Sequence, residues 1–313
     1  MEETHQSINN TDINIQELFI LLWNEKIKII LITLIISTFS VLYALSLPNI
    51  YKSESVLAPA SSSGNNLSSL TSQYAGVASL AGISLPSSGE VDKVAMAVEI
   101  MRSLSFFENL VNKNDLFFNL QAINGWDQSN NLLIIDPTIY DKNQKKWISE
   151  DPNSFEGRPS MQKAHRDFLL NFSIVVDKKT GFIKISTKHY SPYFAKELLD
   201  LIVAEINNIS RDEAIKIAQN SIELLEEEII NTQLNDLRVG INNLIQKQIE
   251  TIVLANASPE YVIKTLSPSY ASENRAEPNR KNILILGFIF GLFLSCFYVL
   301  MRHYIYNTSP IKS

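Results

Sequence analysis

Two uncharged hydrophobic stretches near the ends of the chain dominate its pattern of apolar and polar positions. They cover residues 29–47 and 283–301, and Arg302 and His303 follow the second stretch. Nineteen helical residues extend about 28 Å, which matches the hydrocarbon core of a bilayer. The pattern therefore predicts two transmembrane helices that flank a large central segment.

The first stretch has a rival interpretation as a cleaved signal peptide. About 28 mostly polar residues precede it, with five acidic residues and only two lysines, which is unlike the short basic start of a signal peptide. The residues after it, Leu47-Pro48-Asn49, lack the small residues of a cleavage site. A retained transmembrane helix is therefore the favoured interpretation.

Charges beside the two stretches indicate the orientation. Lys26, Lys28 and Arg302 favour cytoplasmic termini, whereas Arg280 and Lys281 argue the other way. Long segments translocate largely regardless of charge, so we expect the central segment to lie outside the cytoplasm. The predicted organisation is a cytoplasmic tail (1–28), a first span (29–47), an extracytoplasmic domain (48–281), a second span (283–301) and a cytoplasmic tail (302–313).

Hydrophobic periodicity in the central segment predicts both strands and helices. Strands are expected at 50–58, 172–177, 182–188 and 261–266, the middle two forming a hairpin, and a helix at 90–112. Residues 124–160 are expected to be irregular. The apolar run 74–85 fits either a loop with a short packed helix or a surface between subunits.

The longest predicted element is a helix over about 191–256. Ser191 and Pro192 form a start signal, apolar residues recur at helical spacing, and no proline intervenes before Pro259. An alternative is that the helix is interrupted near Asn207 or Gly240. Unbroken, the helix would extend roughly 100 Å, too far for one small core to cover. It therefore needs partner helices, which favours a homo-oligomer.

Composition narrows the function classes. The formal charge of −6 and the absence of clustered Lys and Arg argue against nucleic-acid binding. The single cysteine, Cys296, lies in the second hydrophobic stretch, so the central domain cannot form an internal disulfide. That domain must gain its stability from burial or from association.

The sequence carries none of the common motifs for catalysis or metal binding. The sequence has no Walker-type phosphate loop, H-E-x-x-H, C-x-x-C or G-x-S-x-G. The four histidines are scattered, and Glu226, Glu227 and Glu228 would point in different directions on a helix. We therefore predict no catalytic residues, no cofactor and no metal site.

Two glycines in the second stretch are candidate packing residues. Gly287 and Gly291 form G-x-x-x-G, a spacing that lets membrane helices approach closely and that also occurs by chance. They are the only site residues that the sequence suggests, as contacts between transmembrane helices.

The whole chain resembles the bacterial polysaccharide chain-length determinants, the Wzz-type polysaccharide co-polymerases. The similar segments, in order, are DINIQELFILLWNEKIKII, LPNIYKSESVLAP, SQYAGVASLAGISL, DKVAMAVEIMRS, DPTIYD, KKTGFIKISTKHYSP and YVIKTLSPSYA. No single segment is a strict motif, and the resemblance rests on their order and spacing along nearly the full length.

The resemblance implies an α+β membrane protein of the bacterial inner membrane. Its two transmembrane helices would flank a periplasmic chain-length-determinant domain, with a membrane-proximal α/β base and a long extended helix. It further implies a homo-oligomeric ring that sets the modal length of O-antigen or a related glycan without catalysis. Expected partners are the membrane polymerase and the growing glycan or its lipid-linked precursor. Some relatives carry a cytoplasmic tyrosine kinase, which a tail of about 12 residues does not lead us to expect here.

Two alternatives belong to other functional classes. One is a periplasmic adaptor or scaffold of a polysaccharide export complex. The other is a glycan-cleaving enzyme with two carboxylates brought together by the fold, for which no local signal exists.

Overall fold

The computed structural model describes residues 15–60, 89–148, 154–231 and 235–308. The chain divides into two compact units, one comprising Met1–Pro48 with Glu277–Ser313 and the other comprising Asn49–Ala276. The apolar run at 74–85 lies outside the described residues.

The described part contains nine helices and nine strands. The helices are α1 (Ile15–Asn24), α2 (Lys26–Ser46), α3 (Gly89–Arg102), α4 (Leu104–Lys113), α5 (Phe117–Gln121), α6 (Met161–Asn171), α7 (Pro192–Asn231), α8 (Asn235–Ala257) and α9 (Arg280–Thr308). The strands are β1 (Ile50–Pro59), β2 (Ile123–Asp127), β3 (Leu132–Ile135), β4 (Tyr140–Asp141), β5 (Lys146–Trp147), β6 (Phe172–Val176), β7 (Ile183–His189), β8 (Ile263–Ser267) and β9 (Arg275–Glu277).

Two of the described helices, α2 and α9, have the length and apolar composition needed to cross a membrane. The qualifying segments are Lys26–Ser46 and Arg280–His303. Together with the mixed strand and helix content and the 40-residue helix α7, they confirm the predicted α+β class with an apolar helix near each end and a long helix between them.

The central unit is built on an antiparallel sheet with the order β6-β7-β1-β8, and β9 also pairs with β1. The predicted hairpin is confirmed as β6 and β7, which pair from Phe172 opposite Thr187 to Val176 opposite Ile183. Gly181 in the turn has a φ of +70°, a conformation that glycine adopts at little cost. Strand β1 alternates buried and partly exposed residues, which gives the sheet one covered face.

One hydrophobic core lies between this sheet and five helices, α3 to α7, of which α5 contributes Phe117. The sheet contributes side chains such as Leu57, Ile183 and Ile185, all fully buried. The helices contribute the side chains of Val94, Met101, Phe106, Phe107, Leu110, Phe168, Leu199, Ile202 and Ile206. Because α7 supplies these contacts only from its first half, its second half extends beyond the core.

Two sequence predictions about short elements were wrong. The helix predicted at 90–112 is two helices, because the Ser103 side chain accepts a hydrogen bond from Phe106 N and caps the start of α4. The region 124–160 contains two short hairpins, β2–β3 and β4–β5. Asp127 and Asp141 accept backbone N–H groups in the turns of these hairpins, as Asx turns do.

The segment predicted as one helix over about 191–256 is two helices, α7 and α8, that pack against each other. A few residues after α8 ends, β8 begins at Ile263, whose backbone is bonded to Asn207 in α7. Therefore α8 runs back along the second half of α7, and we call this pair the α7–α8 hairpin. The buried residues Ala218, Ile241 and Ala255 mark its internal contact.

Asn207 joins the middle of α7 to the beginning of β8. Its Oδ1 accepts hydrogen bonds from Val262 N at 2.9 Å and Ile263 N at 3.1 Å. Its Nδ2 donates to Ile263 O at 3.0 Å and to Val203 O at 3.1 Å. The helix is continuous through Asn207, and likewise through Gly240 in α8, so neither residue is a break.

Candidate functional sites

The two apolar helices α2 and α9 pack side by side within their unit through small and polar residues. A Cβ atom added to Gly287 would lie 2.2 Å from Ser40 Oγ and 2.5 Å from Ser40 Cβ. One added to Gly291 would lie 3.2 Å from Ile36 Cβ and 3.4 Å from Thr33 O. Both glycines of the G-x-x-x-G pattern thus face α2 of the same chain. A side chain at Gly287 would overlap Ser40, whereas one at Gly291 would make a tight contact that requires Ile36 to shift slightly.

Polar bridges between α2 and α9 accompany this close approach. The hydroxyls of Thr33 and Ser295, both buried, lie 3.2 Å apart. Ser40 Oγ donates to Ile283 O at 3.0 Å. In a hydrocarbon environment no water is available to hydrogen-bond these hydroxyl groups. The bonds between the helices satisfy them instead and so add to the stability of the helix pair.

Arg280 closes one end of the helix pair. Its guanidinium donates from Nε to Ala44 O at 3.0 Å and from Nη2 to Leu47 O at 3.4 Å. These carbonyls belong to the last turn and C-cap of α2, where the helix has no further N–H donors and carries partial negative charge. In the sequence analysis Arg280 was only a charge that argued against cytoplasmic termini, whereas in the structure it caps the end of α2.

The α7–α8 hairpin carries an unusual amount of exposed aliphatic surface. Nine of its described aliphatic side chains are between 46% and 81% exposed: Ile217, Leu224, Ile230, Leu237, Val239, Leu244, Ile249, Val253 and Leu254. Isolated exposed leucines are ordinary, but a contiguous element that presents so many is typical of a protein–protein contact surface.

A cleft of about 300 Å³ lies in the central unit where α5, β2, α6 and the end of β7 meet. Its polar lining includes amides, carboxylates and ammonium groups from Gln121, Asn124, Asp136, Lys163, Asp167, Asn171 and Lys188. His189 and Tyr190 also line it, over an apolar base that includes Ile123, Phe168 and Leu198. Sequence reasoning missed this site, because its residues are far apart in the chain and belong to no motif.

His189 is buried beside this cleft as a neutral imidazole. Its Nε2 donates to Asn119 O at 3.0 Å, and its Nδ1 accepts from Ser191 N at 3.2 Å. Burial, which disfavours the charged form, lowers the pKa of His189 from 6.5 to about 4, although the bond to Asn119 O opposes this effect. The imidazole therefore carries no charge at neutral pH.

We expect acidification to destabilise the protein through His189. Because its pKa is lower in the folded state, the unfolded chain binds more protons between pH 6.5 and 4. The contribution of the neutral His189 side chain to the free energy of unfolding is fully present above pH 6.5. It decreases as the pH falls from 6.5 to 4, by up to roughly 3 kcal/mol in total. The measurement is thermal unfolding of the detergent-solubilised protein, followed by circular dichroism between pH 7 and pH 5.

The matched variant is His189→Gln, which removes the titrating group and keeps one amide donor for Asn119 O. Its melting temperature should change less with pH over this range, even if it is lower throughout. Carboxylates such as Glu54, whose pKa is lowered by hydrogen bonds from Lys184 and Lys52, lose their stabilising contribution only below about pH 4.5. Equal pH slopes for the two proteins would contradict the assignment to His189.

Among the described residues, no group of three His, Cys, Asp or Glu side chains is arranged to hold a metal ion. His165 contacts Arg102 O at 2.9 Å and packs on the Phe107 ring, so it has a structural environment. Asp136 accepts hydrogen bonds from Thr138, as expected for a turn-forming residue.

The fold and its apolar helices fit a membrane protein with an α+β unit between two membrane-length helices. Residues 11–114, about a third of the chain, match the family model described as "Wzz: Chain length determinant protein". The match confirms the resemblance noted from the sequence over this third of the chain, and the matched residues include α1, α2, β1, α3 and α4.

Two solved structures are similar to this chain at low identity. A "full-length bacterial polysaccharide co-polymerase" is 11% identical, with a TM-score of 0.39, over 95% of this chain and 99% of that chain. A fragment of WzzB, a polysaccharide co-polymerase from Salmonella Typhimurium, is 10% identical, with a TM-score of 0.29, over 73% of this chain and 100% of that chain. TM-scores this low do not establish a shared fold. No curated protein matches the chain.

Proposed function

We propose that this protein regulates the chain length of a bacterial surface polysaccharide, such as O-antigen, as a non-enzymatic oligomeric co-polymerase. The observation that carries the proposal is the match of residues 11–114 to the chain length determinant family. The two membrane-length helices and the exposed hairpin surface support it. Its partner would be the membrane polymerase that adds repeat units.

The direct test is the size distribution of the surface polysaccharide. Deleting the gene should replace a modal length with a broader or shifted ladder on a gel, and the full-length protein should restore it. An unchanged ladder would remove the proposed function. If purified protein released shorter fragments from purified polymer, the non-enzymatic part of the proposal would fail and a glycan-cleaving activity would replace it.

The proposed topology places both termini in the cytoplasm of an inner-membrane protein. Residues 1–28 and 302–313 would be cytoplasmic tails, 29–47 and 283–301 the spans, and 48–281 the periplasmic domain. In a Cys296→Ser background, Asn143→Cys introduces a thiol at an exposed position of the central unit. We expect an impermeant maleimide to label it in intact spheroplasts.

A thiol at Ser7→Cys, in the amino-terminal tail, is the matched control and should react only after the membrane is permeabilised. The reverse labelling pattern would invert the orientation and contradict a periplasmic domain.

The proposed oligomer forms through the α7–α8 hairpin. Burying nine half-exposed aliphatic side chains against neighbouring hairpins would remove this surface from water, which stabilises association by about 25 cal/mol per Å² of apolar area before entropic costs. A second copy of the same chain is the proposed occupant, because two membrane-length helices in each copy would hold all copies in the same membrane and raise their local concentration.

We predict that Leu224→Glu weakens this association. Leu224 is 67% exposed, so the substitution should leave the fold of one subunit intact, but a charge buried at a subunit contact is strongly unfavourable. Light scattering after size-exclusion chromatography should show smaller assemblies, and the polysaccharide ladder should broaden. Gln219→Glu adds the same charge at an exposed polar position of α7 and should change neither result. Assemblies of unchanged mass for Leu224→Glu would place the contact elsewhere.

A further inference from the structure

The cleft beside His189 has the properties of a binding site for a small neutral ligand. Its volume of about 300 Å³ lies at the lower end of the range for small-molecule pockets. Several segments that are distant in sequence build it, and three of them supply most of the lining, namely the α5–β2 junction, helix α6 and the last residues of β7. The core and the sheet fix all three, so the cleft exists before any ligand binds.

Two amides in this cleft retain hydrogen-bonding capacity. Gln121 is only 8% exposed, yet within the described part of the chain its side chain makes one long bond, from Nε2 to Leu120 O at 3.4 Å. The Asn124 side chain, also in the lining, has no hydrogen bond among the residues that the structure describes. Both amides therefore have donor and acceptor atoms available to a ligand that offers hydrogen-bonding groups of both kinds.

The formal charges of the cleft lining sum to zero, because it holds two carboxylates, Asp136 and Asp167, and two ammonium groups, Lys163 and Lys188. Lys163 pairs with Asp167 at 3.3 Å, and Asp136 accepts bonds from the backbone and hydroxyl of Thr138. Burial keeps the pKa of His189 near 4, so the imidazole adds no charge, and both of its nitrogens have partners. The lining thus presents balanced charge and neutral amides, which favours an uncharged ligand over an anion or a cation.

We propose that this cleft binds one neutral sugar residue, with Gln121 and Asn124 as hydrogen-bonding partners of its hydroxyl groups. Sugar hydroxyls both donate and accept, as the two amides require, and the C–H faces of a sugar ring suit the apolar base of the cleft. The inference rests on the proposed function for the source of the ligand, a residue of the polysaccharide whose length is regulated. In that role the cleft would hold the growing glycan against the central unit.

The test uses the full-length protein in detergent and one probe, the neutral oligosaccharide of one to three repeat units released from the host's surface polysaccharide. Saturation-transfer NMR should detect contact between the protein and the sugar protons. Asn124→Ala should weaken binding at least fivefold, because it removes one of the two amide partners. Asn243→Ala, at an exposed amide of α8 outside the cleft, should bind like the parent protein.

Gln121→Leu is the second variant and should also weaken binding. Since it replaces a buried group, its melting temperature is measured first, and Asn124→Ala carries the test alone if Gln121→Leu does not fold. No transfer with the parent protein, or unchanged binding in Asn124→Ala, overturns the proposal. Tighter binding of inorganic phosphate than of the oligosaccharide would also overturn it.

These outcomes are separable from those of the proposed function. A ladder that depends on the protein while no sugar binds would remove the cleft proposal alone. Conversely, the parent protein could bind the sugar and Asn124→Ala could weaken this binding, while deletion of the gene leaves the polysaccharide ladder unchanged. That result would support the proposed sugar site and contradict the proposed control of chain length.

Discussion

Asn207→Ala is expected to destabilise the central unit by roughly 3–5 kcal/mol. The Asn207 side chain is 2% exposed and makes four hydrogen bonds, three of them to the backbone of Val262 and Ile263. Alanine would leave these buried donors and an acceptor without partners, and it would detach β8 from α7. For a unit of this size the melting temperature should fall by on the order of 10 °C.

Asn208→Ala is the matched control for this prediction. Asn208 adjoins Asn207 on the same helix, is partly exposed, and makes no side-chain hydrogen bond among the described residues. Its substitution should change stability by no more than about 0.5 kcal/mol. Thermal unfolding of the solubilised protein measures both variants, and equal melting temperatures for the two would show that the Asn207 contacts do not hold the α7–α8 hairpin to the sheet.

Gly287→Leu is expected to separate α2 from α9. Even a single added carbon would overlap Ser40, and a leucine must displace the backbone of one helix. A pair of cysteines, Thr33→Cys and Ser295→Cys in a Cys296→Ser background, reports the spacing, because these two hydroxyls lie 3.2 Å apart. We expect efficient disulfide formation within one chain in the parent, and on the order of tenfold less with Gly287→Leu, which is equivalent to about 1.4 kcal/mol.

Phe290→Leu is the control for a substitution in the same helix, since Phe290 is 59% exposed and does not face α2. It should leave disulfide formation unchanged.

A second control restores the fit between the two helices. Gly287→Ala should reduce the disulfide, and combining it with Ser40→Gly should recover it, because the swap moves the side chain from one helix to the other. Disulfides that join two chains instead of one would mean that the glycines pack between subunits.

Local patterns in the sequence predicted much of the fold because the responsible interactions are local. Alternation predicted β1, and the Gly181 turn predicted the β6–β7 hairpin. Ser191 was expected to cap α7, and its Oγ accepts from Phe194 N at 3.3 Å. These signals involve residues only a few positions apart, so no tertiary information is needed to interpret them.

The errors arose where a choice between similar local structures depended on distant contacts. A continuous helix over 191–256 and a helix hairpin share the same periodicity, and only the packing of Ala218 and Ile241 together with the Asn207 bonds to β8 distinguishes them. Ser103 suits a helix interior poorly and a cap well, but apolar periodicity alone does not place the cap.

The sequence by itself determined two membrane-length apolar helices, an α+β segment between them and a family resemblance, because runs of apolar residues and short-range turn chemistry are properties of neighbouring positions. Only the tertiary structure decided that Gly287 and Gly291 face Ser40 and Ile36 of the same chain. It also decided that Arg280 caps α2 and that Gln121 and Asn124 share a cleft. Each of these contacts joins residues that are far apart in the sequence. Nothing in the local pattern around either residue indicates its partner, so their proximity follows from tertiary packing.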